Sequence, residues 1–363
     1  MRIALLGDIA LIGNFSIRNN PQIIEKLTPL RNYLSNFDLV IGNLETPFSM
    51  RKIPWGAKSS YLCSDIDNIT ILKALGIKAV SLANNHIYDF GKEGFDTTIS
   101  LLQDSNIEWF GVDGKNYKIE YKNNKIDFEG FCCYSTNPLN ISSLLGKSGI
   151  NRFNINEVKK IIERNTKKGW LSILSIHSGI EHVNRPSIDQ IKASRIFADI
   201  SPYVWYGHHP HVIQGIEKYK GSLIAHSLGN FCFAGNKEDK NRPSVELSEN
   251  NRLGLILELE IEANKIINNN YKIIHIEESG AINLYNNKEL VQKYSSFIEE
   301  AIIRSHEYNQ KRISQRKEYL TKRKELRNIK WILQRLRPRY FKLFIDNRRN
   351  YKKYKQNVTK YLD

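Results

Sequence analysis

The sequence predicts an α/β fold with a basic helical extension at its C-terminal end. Three observations carry that expectation. Short apolar runs alternate with stretches of helical periodicity, polar and ionisable residues recur where successive apolar runs stop, and the charge balance changes abruptly near residue 300. In open α/β sheets ligands bind beyond the carboxyl ends of the strands, so the second observation also says where a site should be sought.

The first half of the chain shows the pattern three times. An apolar strand over residues 2–7 stops at Gly7-Asp8. A helix over residues 21–35 is followed by a strand at 37–42, which ends in Asn43-Leu44-Glu45-Thr46-Pro47. A helix over 66–75 leads to a strand at 79–82 that ends in Ala83-Asn84-Asn85-His86, with Asp89 and Gly91 just beyond. A helix over 92–105 and a strand at 109–111 complete this half.

The second half repeats the design with more strand. A strand over 125–134 and a helix over 154–168 precede the run 170–176, which ends in His177-Ser178-Gly179-Ile180-Glu181-His182. A helix over 187–199 leads to the apolar run 203–206 and then to Gly207-His208-His209-Pro210-His211-Val212. Three of the nine histidines fall within four residues here. Pro210 blocks a continuing helix, so the cluster is expected on a turn at a strand end, with His209 and His211 aimed at one point. Strands at 222–226 and 227–231 follow, then two at 253–262 and 271–277 that read as antiparallel.

Charge divides the chain unevenly. Residues 301–363 carry 20 Lys and Arg against 5 Asp and Glu, whereas residues 1–300 carry 34 against 33. The expected division is therefore a nearly neutral body, 1–285, and a basic helical tail, 286–363. The four cysteines show no CxxC spacing, and Cys132-Cys133 lies in an apolar run, so buried thiols in a reducing compartment are expected. No signal peptide or spanning apolar run is read, which makes a cytoplasmic protein the expectation.

Together the strand ends offer Asp8, Glu45, Asn85, His86, His177, His209 and His211. Carboxylates, a carboxamide and imidazoles suit a borderline divalent metal, Zn, Mn or Fe, better than an all-oxygen Ca²⁺ cage. Such a site acidifies water for attack on phosphorus or on a carbonyl carbon.

The ordered motifs Gly7-Asp8, Asn43-Leu44-Glu45, Asn84-Asn85-His86 with Asp89 and Gly91, His177 with Gly179 and Glu181, His209-Pro210-His211-Val212 and Ser227-Leu228-Gly229-Asn230-Phe231 resemble the bacterial capsule-synthesis family. This CapA-type, poly-γ-glutamate synthesis family falls in the calcineurin-like metallophosphoesterase superfamily. The resemblance spans residues 1 to about 235 and implies a four-layer αββα sandwich. It implies Asp8, Glu45, Asn85, His177, His209 and His211 as metal ligands for one or two divalent transition-metal ions. It implies His86 as the group that protonates the leaving oxygen or holds the phosphoryl group. Asp89, three residues on, is placed to orient that ring. Ala10 stands where the superfamily has a further histidine, and Glu45 where it has a bridging Asp.

Asn43, Glu181 and Asn230 are expected to contact substrate. His208 is placed outside the metal's ligand set, His226 in the core, and Ser227 in a loop lining the site, since no Gly-x-Ser-x-Gly elbow surrounds it. Over 290–326 apolar residues are sparse among Lys, Arg and Glu, so a solvated helix is expected. Residues 331–345 mix large apolar and aromatic side chains with Arg and Lys, which suits an anionic membrane surface at the inner face, with docking on the body or on a partner as the alternative. No nucleic-acid motif accompanies them, so nucleic acid is not the expected partner. The expected function is metal-dependent hydrolysis or transfer at a phosphate ester or phosphodiester of an anionic surface-polymer precursor, with other capsule-synthesis proteins as partners. The alternatives are processing of an amide polymer such as poly-γ-glutamate, or a non-catalytic metal-binding scaffold of a synthase.

Overall fold

The computed structural model describes residues 1–362 apart from 51–52, 57, 59, 137–148, 236–246, 286, 326–335 and 337, and no side chain is described at 323, 325 or 338–340. In the first half, β1 (Arg2–Ala10), β2 (Leu39–Leu44), β3 (Ala79–Ser81) and β4 (Glu108–Phe110) lie side by side and parallel. The helices between them are α1 (Ile23–Lys26), α2 (Thr28–Leu34), α3 (Ile69–Ala74) and α4 (Gly91–Asp104). Pro29 explains why the helix expected over 21–35 is two pieces. A proline is tolerated in a helix's first turn but not inside it, so α2 restarts at Thr28.

A second sheet follows the order β5 (Tyr117–Tyr121), β6 (Asn124–Cys132), β7 (Leu171–His177), β8 (Val204–His208), then β10 (Ser222–Ala225) and β9 (Ile216–Tyr219). The helices α5 (Ile155–Lys167) and α6 (Ile188–Ala198) connect its parallel strands. The chain then returns to the first sheet. There β11 (Asn230–Phe233) pairs with β1 in parallel, and β12 (Leu253–Glu262), β13 (Lys265–Ile276) and β14 (Ile282–Tyr285) extend it antiparallel, after the short α7 (Glu249–Arg252). The strands β5 and β9 were not anticipated. Each forms a hairpin through a two-residue turn, Lys122-Asn123 and Lys220-Gly221, whose residues all have positive φ.

Alternation along the strands decides the layering. Ile3 and Leu5 of β1 share a core with Ile126 and Phe128 of β6, Ile173 of β7 and Val204 of β8, so the two sheets face each other. Ala4, Leu6 and Ile9 point the other way, onto Leu30, Leu72 and Leu102 of the flanking helices. On the far side, Leu174 and Ile176 of β7 meet Val158 and Ile162 of α5 and Phe197 of α6. The result is helix, sheet, sheet, helix, as the family resemblance implies.

The remaining helices are α8 (Lys288–Ile303), α9 (Ser305–Glu325) and α10 (Pro338–Asn357). The solvated helix expected over 290–326 is corrected here. Val291, Tyr294, Ile298 and Ala301 of α8 are buried, and Tyr308 of α9 is fully buried with its hydroxyl donating to Pro186 O at 2.7 Å. Beyond α10, Val358 and Leu362 join the core of α5 and α6, while Tyr354 donates to Asp189 at 2.6 Å. Within the expected membrane segment, residues 331–335 and 337 lie outside the described residues.

Candidate metal centre

The carboxyl ends of β1, β2, β3, β7 and β8 converge between the two sheets, and the six expected ligands come together there. Gly7 makes the first contact: a Cβ on it would stand 2.1 Å from Gly229 O, so only glycine lets β11 close on β1. That approach fixes the next residue, whose N–H donates to Gly229 O at 2.9 Å and whose side chain is fully buried. The Asp8 carboxylate accepts from Asn43 Nδ2 at 2.8 Å and from the His209 N–H at 3.1 Å. Nδ1 of His208 and of His211 lie 3.1 and 3.3 Å from it.

Glu45 is the centre of the cluster. Its backbone N–H donates to Ile9 O at 2.8 Å, which ties the end of β2 to β1. Its Oε1 faces three imidazole Nε2 atoms, those of His211 at 3.7 Å, His86 at 3.8 Å and His177 at 4.0 Å. Those distances exceed a hydrogen bond. Among the described residues, neither oxygen of this fully buried carboxylate has a hydrogen-bond partner. Two donors on one Zn-like ion stand at most about 4.2 Å apart, twice the usual bond of about 2.1 Å, so these spacings fit donors that share a cation. Asp8, Glu45 and His211 also offer ligand atoms within 4.8 Å of one another. The donor chemistry and the orphaned carboxylate therefore fit a divalent metal.

The other expected ligands lie against this group. Asn85 Oδ1 and His177 Nε2 are 2.7 Å apart. The His209 ring is 4.9 Å from that of His177, and its Nδ1 has no hydrogen-bond partner among the described residues. His209 and His211 both have positive φ, 93° and 55°, so the backbone of the Pro210 turn is bent to aim them. His211 Nδ1 lies 3.0 Å from Asn230 Oδ1, which leaves Nε2 toward Glu45.

Charge explains the titration of the cluster. Burial pushes the Asp8 carboxyl up, but the contacts from His208 and His211 outweigh it and hold it well below the usual carboxylate range. Burial pushes Glu45 up to about 8, with His211 opposing and Asp8 adding to the shift. Burial alone would lower His211; Glu45 and Asp8 lift it to about 10. His209 is driven down to about 4, chiefly by burial. Glu45 and His211 thus hold a proton in this buried site, and a bound divalent cation would favour the ionised carboxylate and the neutral imidazole in its place.

His86 and Asp89 stand beside the cluster as expected, with Nδ1 2.6 Å from Asp89 Oδ2. Lys58, which sequence reasoning missed, is buried between them. Its ammonium donates to Asn85 O at 2.7 Å, lies 3.0 Å from His86 Nδ1 and pairs with Asp89. Asn43 and Asn230, expected to meet substrate, are fully buried; Asn43 is turned on Asp8 and His177, Asn230 on His211 and Asn251 O. Glu181 is partly exposed and lines a cleft that His209 also borders. Asn251 was also missed; its Nδ2 donates to His211 O at 2.8 Å.

Neither Lys58 nor Asn251 belongs to a pattern, whereas His208 does. Alternation puts it on the strand face of Val204 and Tyr206, between the sheets and against Asp8. Ser227 lies in the loop before β11, its hydroxyl donating to Val212 O at 2.8 Å. His226 is fully buried, with Nε2 3.4 Å from Glu217.

Fold and site together define a two-sheet α/β protein with a candidate carboxylate–imidazole metal centre at its strand ends. The chain belongs to the bacterial capsule synthesis protein family, PGA_cap, whose model matches residues 2–235. It is 30% identical over 217 residues to the capsule biosynthesis protein CapA of Bacillus anthracis, covering 55% of this chain and 52% of the relative. It is 27% identical over 205 residues to the PGA biosynthesis protein CapA of Bacillus subtilis (strain 168), covering 54% and 53%. The chain thus spans about half the length of these curated relatives. Among solved structures it is similar to a calcineurin-like phosphoesterase from Bacillus subtilis, with 13% identity, 83% of this chain and 96% of that one covered, and a TM-score of 0.43. A 5'-nucleotidase precursor from Thermus thermophilus gives 11%, 84%, 59% and 0.43.

Proposed function

We propose that this capsule-synthesis family member is a metal-dependent hydrolase or transferase acting on a phosphate ester or phosphodiester of an anionic surface-polymer precursor. The observation that supports it most is the buried, unpartnered Glu45 carboxylate ringed by three imidazole nitrogens, with His86 and Asp89 alongside. Asp8, Glu45, Asn85, His177, His209 and His211 would hold one or two divalent ions of Mn, Zn or Fe. When bound, such an ion supplies Lewis acidity and lowers the pKa of water. The protein's own part is proton transfer and positioning. His86, its ring held by Asp89, gives a proton to the departing oxygen. Asn43 and Asn230 hold Asp8 and His211 in place, and Glu181 meets substrate in the cleft.

A second reading has support from the name of the Bacillus subtilis relative, a PGA biosynthesis protein. The same constellation would then serve an amide bond of poly-γ-glutamate. As a non-catalytic scaffold, the chain would keep its metal and lack turnover. The test is hydrolysis of bis(p-nitrophenyl) phosphate and of tri-γ-glutamate by the Mn²⁺-loaded chain. Release of nitrophenol that His211→Ala abolishes supports the first reading. Cleavage of the peptide alone moves the assignment to the amide polymer. Bound metal with neither product favours the scaffold.

We also keep as proposals a cytoplasmic location with peripheral contact to the anionic inner membrane face through residues 301–363, and association with other capsule-synthesis proteins. No helix among the described residues is long and apolar enough to cross a membrane.

A further inference from the structure

We propose that the C-terminal helices complete the substrate site, with Arg312 and Arg316 of α9 binding an oxyanion group of the substrate, a carboxylate or a phosphate, remote from the metal centre. The inference rests on the proposal that the metal cluster acts on this substrate. The two guanidinium groups share one cleft, of about 450 Å³, with His209 and Glu181. Tyr319 of α9 and Tyr351 of α10 line it too. The family match ends at residue 235, so this wall comes from outside the matched region.

Four residues apart on a helix, Arg312 and Arg316 present their charges on one face. Among the described residues neither forms an ion pair with a carboxylate. Arg312 donates from Nε to Arg185 O and from Nη1 to Asn309 Oδ1, both at 3.2 Å, and both acceptors are neutral. Asp189, a carboxylate of the same cleft, accepts the Tyr354 hydroxyl at 2.6 Å. Burial pushes the Arg312 guanidinium below its usual value; Tyr308, Asp189 and Tyr354 oppose that push, and the charge of Arg316 adds a little to it. Two guanidinium groups facing a partly enclosed cavity favour an anion between them, in addition to the Asp189 carboxylate on the cleft wall. A guanidinium fork matches the planar oxygens of a carboxylate or the face of a phosphate, and two forks bind either more tightly than a lone ammonium.

Packing, not chance, sets the position of this pair. The Tyr319 ring stacks on His182 with centroids 4.0 Å apart and planes 27° from parallel. His182 in turn touches Asn251, which donates to His211 O. The helix that carries the arginines is thus braced against the backbone of a metal-cluster residue. An oxyanion held at the outer end would place the reacting bond at the inner one, and binding energy remote from the bond would serve its orientation.

The test is equilibrium binding of two separate probes, tri-γ-glutamate and inorganic tripolyphosphate, to the full-length Mn²⁺-loaded chain by titration calorimetry. Arg316→Glu, at an exposed position, is expected to weaken a bound probe by about tenfold or more, with metal content and melting temperature unchanged. Arg312→Lys, which keeps charge but loses the fork, is expected to weaken it as well. The probe whose affinity falls identifies the source, a carboxylate polymer or a phosphate. Equal affinities in wild type and both variants, or no binding of either probe, overturn the inference. Loss of affinity in the arginine variants without turnover of any substrate would overturn the hydrolase reading and leave this subsite standing. Turnover with arginine-independent binding would do the reverse.

Discussion

Asp89 holds the His86 ring through Nδ1 at 2.6 Å, and that leaves Nε2 of the same ring 3.8 Å from Glu45. The geometry puts a braced imidazole at the rim of the metal cluster, where it can exchange a proton with a departing group. Lys58 closes the arrangement from behind, touching both partners.

His86→Ala is therefore expected to keep its metal and lose roughly 10²–10⁴ in turnover on substrates with poor leaving groups. Asp89→Asn should lose less, because the ring remains but is no longer held. Elemental analysis beside kcat on alkyl and nitrophenyl esters separates the cases. Parallel loss of metal and activity would make His86 a ligand, and full activity would remove it from the reaction.

His211→Ala should strip the cluster of metal, since Nε2 faces Glu45 while Nδ1 contacts Asn230 and Asp8. His208→Ala is the more discriminating variant. The sequence places His208 outside the ligand set, yet its Nδ1 lies 3.1 Å from Asp8, so it braces a ligand. Loss of such a brace typically costs roughly 10–100-fold in metal affinity. Competition with a metal chelator should rank wild type above His208→Ala and His208→Ala above His211→Ala. Wild-type affinity in His208→Ala would reduce that residue to packing.

A pH prediction comes from Glu129 of β6, which is not part of the candidate metal cluster and pairs with Leu174 on the neighbouring strand. Burial, then the neighbouring Asp127, raises its carboxyl to about 8; Arg164, 3.4 Å away but half-exposed, offsets only part of this. A carboxyl raised in the folded state contributes stability that is complete below its ordinary value of 4.5 and is lost as pH climbs through about 8. Glu129→Gln removes the ionisation, so its urea midpoint should exceed that of wild type at pH 9 and not at pH 4. Curves that run parallel across this range would show that the carboxylate ionises freely in the fold.

Much of the candidate site was legible in the sequence, and the reason is geometric. A strand of period two stops where its backbone leaves the sheet, so Asp8, Glu45, Asn85, His177, His209 and His211 announced themselves as polar residues after apolar runs. Direction was harder to read. Asn43 and Asn230 were visible as polar residues near strand ends, but a register shift in β1 between Leu5 and Asp8 turns Asn43 onto Asp8. Lys58 gave no signal because its loop has no periodicity; only the fold brings it to His86 and Asp89. The C-terminal helices misled for another reason. Their charge dominates the sequence; α8 docks through Val291, Tyr294, Ile298 and Ala301 at helical spacing, but the later contacts, Tyr308, Tyr354, Val358 and Leu362, are too widely spaced to form a pattern.

Those last four side chains decide how membrane contact must be tested. Cutting the chain after residue 300 would strip them from the core and confound binding with unfolding, so point variants on the outer face of α10 are required. That face exposes Phe341 (74%), Phe344 (62%) and Ile345 (50%), with Lys342, Arg348, Arg349 and Lys352 exposed around them. Each Lys or Arg near an anionic surface contributes about 1 kcal/mol, an attraction that salt screens, whereas inserted aromatic rings resist salt. Wild type is expected to sediment with phosphatidylglycerol vesicles at low salt and to keep part of that binding at high salt. Phe341→Ser with Phe344→Ser should lose the salt-resistant part, and Arg348→Glu with Arg349→Glu the salt-sensitive part, with metal content unchanged in both. Vesicle binding that neither pair alters would move the contact off α10, and no vesicle binding by wild type would end the membrane reading.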